Sequence, residues 1–142
     1  MNTLTNEQLA ARVMELAQSA GPFRPSAYYD PDGDCIEFLA CPDNFYGERV
    51  DDLVTVYLSE ESGEIVGALL KGVTGFCERT LQKLPGFKIE IEHGRVKLVA
   101  IFTAGLWSTD INPDHVKTVR AYKKLIDVAT QTGVEVQLKR AA

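Results

Sequence analysis

Residues 53 to 72, LVTVYLSEESGEIVGALLKG, constrain the fold more than any other stretch of the chain. Val54, Val56 and Leu58 alternate with Thr55 and Tyr57, the period-two pattern of a strand with unequal faces. Glu61, Ser62 and Gly63 then supply a turn, and Glu64 to Gly72 is apolar on both faces, as a strand flanked by others must be. A helix has no use for this pattern, so these residues predict an antiparallel hairpin whose second strand lies inside a sheet.

The rest of the chain supplies the neighbours that strand needs. Ala27 to Asp30 and Cys35 to Cys41 read as two further strands joined by a turn at PDGD, in which Asp32 and Gly33 are expected to take the positive φ. With residues 53 to 72 they read as a meander, and PDNFYGERVDD as a loop between strands. Phe87, Ile89 and Ile91 alternate with Lys88, Glu90 and Glu92, and His93 with Gly94 makes a two-residue turn into a second, more apolar strand running to Phe102. A last strand, residues 134 to 139, is placed to close the sheet.

Helical signals frame the strands. Thr5 and Gln8 form a capping box, Leu9, Val13, Leu16 and Ala20 share one face, and Gly21 with Pro22 stops that helix. Residues 74 to 84 predict a short middle helix ended by Pro85 and Gly86. Asn112 caps a long helix with Pro113 at its first position and Asp114 near the positive end of its dipole. Val116, Val119, Tyr122, Ile126 and Ala129 are its expected buried stripe, and Gly133 releases it. The predicted class is α+β: a mainly antiparallel sheet of about six to seven strands, with an N-terminal, a short middle and a long C-terminal helix packed on it.

A chain of 142 residues fits one domain, and neither repeats nor linkers divide it, so residues 1–142 are taken as a single unit. With 45% hydrophobic and 25% charged residues the composition is that of a globular protein. No apolar run approaches the ~20 residues of a spanning helix, and no secretory leader opens the sequence, which predicts a cytoplasmic protein with no membrane partner. The net charge of -5 opposes attraction to phosphate backbones. Three cysteines, Cys35, Cys41 and Cys77, form no CxxC pair and suit reduced thiols.

From Tyr28 to Gly72 the order is Tyr-Asp, an Asp-x-Ile strand, Val-Asp-Asp, a Val-x-Val strand and Gly-Glu-Ile-Val-Gly. Tyr29, Asp30, Asp34, Ile36, Val50, Asp51, Asp52, Val54, Val56, Gly63, Ile65, Val66, Gly67 and Leu70 carry the pattern YDxxxDxLYI followed by VDDxVIVDxDxxGxIVGIEIL. This resembles a family of small bacterial domains of unknown function. The resemblance implies a small antiparallel sheet with a helix against it, and it carries over no catalytic residue.

Candidate chemistry is sparse. Asp30, Asp32 and Asp34 have the alternate spacing of a calcium loop, but Cys35 and Cys41 stand where that loop needs Gly and a bidentate Glu. Cys35 and Cys41 would sit about 20 Å apart on one strand, too far to share zinc. No metal and no cofactor are expected. Cys77 with His93 or His115 has the types for a nucleophile and base, without an accompanying motif. Lys117, Arg120, Lys123 and Lys124 lie along one side of the long helix; a solvated face explains them better than nucleic acid. Phe45, Tyr46 and Trp107 are large apolar groups in expected loops, and with Asp110 and His115 they form the candidate binding residues should those loops converge. The sequence favours a noncatalytic module for a protein partner or self-association. A small-molecule or metal-dependent enzyme with a site near residues 105–115 is the alternative, and nucleic-acid binding through the helix is weaker.

Overall fold

The computed structural model describes residues 5–11, 22–83, 95–109 and 112–138. The fold is α+β, with an N-terminal helix, a five-stranded antiparallel sheet and a separate two-stranded one. The described part of helix α1 is residues 6–11. Its capping box forms as the sequence predicts: Thr5 N–H donates to Gln8 Oε1 at 3.0 Å and Gln8 N–H to Thr5 Oγ1 at 3.2 Å. Val13, Leu16, Ala20 and the stop at Gly21 lie outside the described residues.

The main sheet contains β1 (Ser26–Asp30), β2 (Cys35–Leu39), β3 (Phe45–Arg49), β4 (Val54–Ser59) and β5 (Ile65–Lys71), in the order β1-β2-β5-β4-β3. As the two-faced apolar pattern requires, β5 is central, between β2 and β4. The order is not the expected meander. β1 and β2 form one hairpin, β3 to β5 form a second unit, and β5 closes onto β2, which carries the connection after β2 to the far edge. A break in the β4–β5 register after Tyr57 leaves Val66 as an extra residue, so Val66, Gly67 and Ala68 are buried in succession. A Cβ on Gly67 would overlap the Phe38 carbonyl oxygen of β2 and come within 3.2 Å of the Tyr57 ring.

The core lies on one face of this sheet. Tyr29, Ile36, Leu70 and Val54 form one cross-strand row of it, and Phe38, Ala68 and Val56 the next. Helix α2 (Val73–Lys83) follows β5 directly and adds Val73, Phe76 and Cys77 to that core. β6 (Arg95–Lys97) comes next and then α3 (Leu98–Ser108). The expected strand to Phe102 is therefore a helix after three residues. Leu98, Ile101, Phe102 and Gly105 are buried at helical spacing, whereas a strand would have buried alternate residues. Residues 87–94, with the expected turn at His93 and Gly94, lie outside the described residues.

Asn112 caps the chain's re-entry, accepting from Asp114 N–H at 2.9 Å across a 3-10 turn, Pro113–His115, that leads into α4 (Val116–Thr132). That turn shifts the buried stripe to Tyr122, Leu125 and Ala129 and leaves Val116 exposed, in place of the expected start at Val116. Gly133 ends α4 at φ 63°, as its sequence position suggests. β7 (Glu135–Gln137) does not close the main sheet. It pairs with β6 and comes close to β1.

Candidate functional site

The DPDGD turn is a fastening point of the fold. Asp30 Oδ1 accepts from Asp32 N–H at 3.0 Å, closing the turn locally. Asp34, rather than Asp32 or Gly33, takes positive φ at 49°. That conformation serves its side chain, which accepts from the Tyr29 hydroxyl at 2.7 Å and from Thr74 N–H and Oγ1 at 3.2 and 2.8 Å. Asp34 thus caps the start of α2 from 40 residues away. Among the described residues, no group of three or more His, Cys, Asp or Glu is arranged to hold a metal ion.

A second carboxylate does the same at the other side of the sheet end. Asp51 Oδ1 accepts from Leu53 N–H and Val54 N–H at 3.0 and 2.8 Å, and Oδ2 from the Tyr122 hydroxyl at 2.5 Å. Gly105 makes this possible, because any Cβ there would overlap the Tyr122 ring. Between these two anchors lies an open cleft of about 620 Å³ lined by Asp34, Asp51, Lys71, Thr74, Arg79 and Thr109, among others. Both central carboxylates are engaged by backbone and tyrosine partners, and Asp52 pairs with Arg49 at 2.5 Å. Cys77, the candidate nucleophile, is buried; that burial, then the charges of Asp34 and Glu78, push its thiol up to about 11, the reverse of an activated thiolate.

These buried acids dictate an alkaline limit. Burial and then the Asp34 bond push Tyr29 up to about 12 from 10.0, and burial and the Asp51 bond also raise Tyr122. Each proton is held more tightly in the folded chain, so the unfolded chain releases it first and stability falls as pH rises past the unfolded value. Urea midpoints should therefore hold up to about pH 9, the ordinary thiol range, and decline steeply above pH 10. Tyr122→Phe should flatten part of that decline, and an equal slope in that variant would refute its cause.

The described candidate residues sit on different elements. Trp107 is on the last turn of α3, 70% exposed, and not in a loop. Its neighbours Ser108 and Thr109 line the cleft beside Asp51. Phe45 and Tyr46 are not in a loop either; they begin β3, and Phe45 pairs with Ser59 at the opposite end of β4 from Val54. His115 ends the 3-10 turn, and Asp110 lies outside the described residues.

What the structure adds is the character of β3. All five of its residues are exposed, and it is one of the sheet's two edge strands. Phe45 stacks on Tyr57 at 4.2 Å between ring centroids, on the sheet face away from the core. The Asn44 carbonyl accepts from Glu60 N–H and Val50 N–H donates to the Val54 carbonyl, each at 2.9 Å. Alternation between those bonds turns the backbone groups of Tyr46 and Glu48 toward β4 and those of Phe45, Gly47 and Arg49 toward the open edge. No strand among the described residues pairs there. On the core side a groove of about 860 Å³ runs between this edge and α4, with Val50, Val56 and Leu58 at its base. Lys117, Arg120 and Lys124 line it, interspersed with Asp114 and Asp127 and facing Glu48 and Glu64. No signal in the sequence marks β3, since a strand exposed on both faces leaves no alternation.

No family model, no curated protein and no solved structure matches the chain. No helix among the described residues is long and apolar enough to cross a membrane.

Proposed function

We propose that this chain is a noncatalytic association module of the bacterial type its Tyr28–Gly72 pattern resembles, working in the cytoplasm. The observation that carries this reading is β3: an edge strand whose outward backbone groups no strand among the described residues pairs, with exposed Tyr46 and Phe45 and a groove with an apolar base beside it. Edge strands of soluble proteins are commonly blunted by short length, charged side chains (lysine above all), proline, a bulge or a cover, because a bare edge recruits another strand; in β3 the charges Glu48 and Arg49 stand at one end only. Phe-Tyr-Gly-Glu-Arg carries neither proline nor lysine, and nothing among the described residues covers it. An edge of this kind fits strand addition, in which the backbone supplies affinity and alternate side chains supply selectivity.

The engagement of Asp34 and Asp51 in the fold and the protonated state of Cys77 support a noncatalytic role. The cations of α4 alternate with acids along the groove, which favours a protein surface over nucleic acid. The cleft near residues 105–109 is a feature favouring a small-molecule site, and Lys71 and Arg79 are among its lining residues. Sedimentation velocity over a wide concentration series tests the main reading. A concentration-dependent species larger than the monomer is expected, weakened by Tyr46→Lys. A monomer throughout would refute self-association.

A further inference from the structure

We propose that the occupant of the β3 edge is a second copy of the same edge, antiparallel and centred on Gly47, an inference that rests on the association reading above. The outward-facing backbone groups are those of Phe45, Gly47 and Arg49. A two-fold axis at Gly47 sets Gly47 against Gly47 of the second copy and Phe45 against Arg49, so every outward N–H meets an outward carbonyl. Centring on Glu48 or Arg49 would instead oppose like charges directly, which destabilises a strand pair. Centring on Gly47 is also the symmetric register that overlaps all five residues of the strand.

The side chains are self-complementary in this register. On the face away from the core, Phe45 of one copy lies opposite the Arg49 guanidinium of the other, a cation-π pairing. Arg49 can supply it by giving up two exposed contacts, its Nε–H donation to the Asp51 carbonyl at 3.3 Å and its surface ion pair with the fully exposed Asp52, which is readily exchanged. On the core side, where Tyr46 pairs with Leu58 and Glu48 with Val56, Tyr46 of one copy meets Glu48 of the other. A tyrosine hydroxyl donates well to a carboxylate, and the ring is brought to the mouth of the groove lined by Glu48, Val50 and Val56. A five-residue strand pair is smaller than the roughly 1,000 Å² of a specific interface, so Tyr46 entering the partner groove is required for a stable dimer. Gly47 at the axis has no side chain to hold the two edges apart.

The test uses the full chain with Cys35→Ser and Cys41→Ser, leaving buried Cys77 in place. Paired residues at such an axis stand about 5.5 Å apart between Cα atoms, within disulfide range. Gly47→Cys should therefore become a disulfide-linked dimer as the main species on mild oxidation, while Glu135→Cys on β7 stays monomeric. A Cβ at Gly47 comes within 3.2 Å of the Thr55 methyl, so an independent route is kept: Phe45→Cys mixed with Arg49→Cys should cross-link, and neither should alone. Gly47→Pro, which removes an outward N–H that no strand among the described residues engages, should shift sedimentation from dimer to monomer. If the unmodified protein dimerises but neither Gly47→Cys nor the mixed pair cross-links, this pairing is wrong and the association reading stands. If the unmodified protein is a monomer at every concentration, the association reading itself fails and the pairing with it.

Discussion

Gly67→Ala should lower stability by about 3 kcal/mol, a large share of the ~5–15 kcal/mol that holds a domain of this size together. The new methyl group would meet the Phe38 carbonyl oxygen, a backbone atom of the adjacent central strand that has no rotamer to escape into. Relief requires moving β2 away from β5, which breaks ladder bonds at the middle of the sheet and the contact of Ala40 N–H with the Val66 carbonyl at 2.7 Å. Gly63 is the internal control. It belongs to the same Gly-Glu-Ile-Val-Gly run, takes φ 72° at the hairpin tip and has open space where a Cβ would stand. Gly63→Ala should cost about 1 kcal/mol, the strain of a left-handed alanine and no more. Urea denaturation of both variants separates the two causes. Equal losses would show that the bulge at Val66 tolerates a methyl group and that the packing account of Gly67 is mistaken.

The two glycines also show where sequence reasoning reaches and where it stops. Gly63 is readable because a turn is made of adjacent residues, and so are the Thr5–Gln8 box, the Asn112 cap and the Gly133 stop. Gly67 needs the register of three strands to be understood, since its constraint is a carbonyl on another strand. Helix α3 escapes sequence reasoning for a related reason. LVAIFTAGLW is apolar nearly throughout, so alternation can be found in it, and the decisive spacing of Leu98, Ile101, Phe102 and Gly105 becomes visible only as a buried face. At the candidate site the aromatic pair Phe45 and Tyr46 stands out in the sequence as needing a reason to be exposed. Its setting as an edge strand is hidden there, because burial is what imprints period two on a sequence and β3 has none. The fastenings of Asp34 to Thr74 and of Asp51 to Tyr122 span 40 and 71 residues, distances at which no local pattern operates.

Asp51→Ala is the other large effect, expected near ~3 kcal/mol. It removes the acceptor of Leu53 N–H, Val54 N–H and the Tyr122 hydroxyl together, and Val54 and Tyr122 are almost wholly buried. Buried donors without acceptors cost about 1–3 kcal/mol each, and the sum is reduced here because Asp51 borders the open cleft, where water can enter. Tyr122→Phe keeps the ring against Gly105 and loses only the hydroxyl, so it should cost about 1 kcal/mol. Asp51→Asn keeps an oxygen for the two amides and turns the other position into a poorer partner for tyrosine, giving an intermediate loss. In the Asp51→Ala, Tyr122→Phe double variant the orphaned hydroxyl is gone, so the combined loss should fall short of the sum by about 1 kcal/mol or more. Strict additivity, measured by urea denaturation across the four proteins, would mean the bond contributes nothing beyond its parts. A clear shortfall would identify Asp51 as the link that ties α4 to the end of β4, and α4 forms one wall of the groove along the β3 edge. The same variants should then weaken self-association as well as folding, because a loosened α4 no longer holds the groove that Tyr46 of the second copy has to enter.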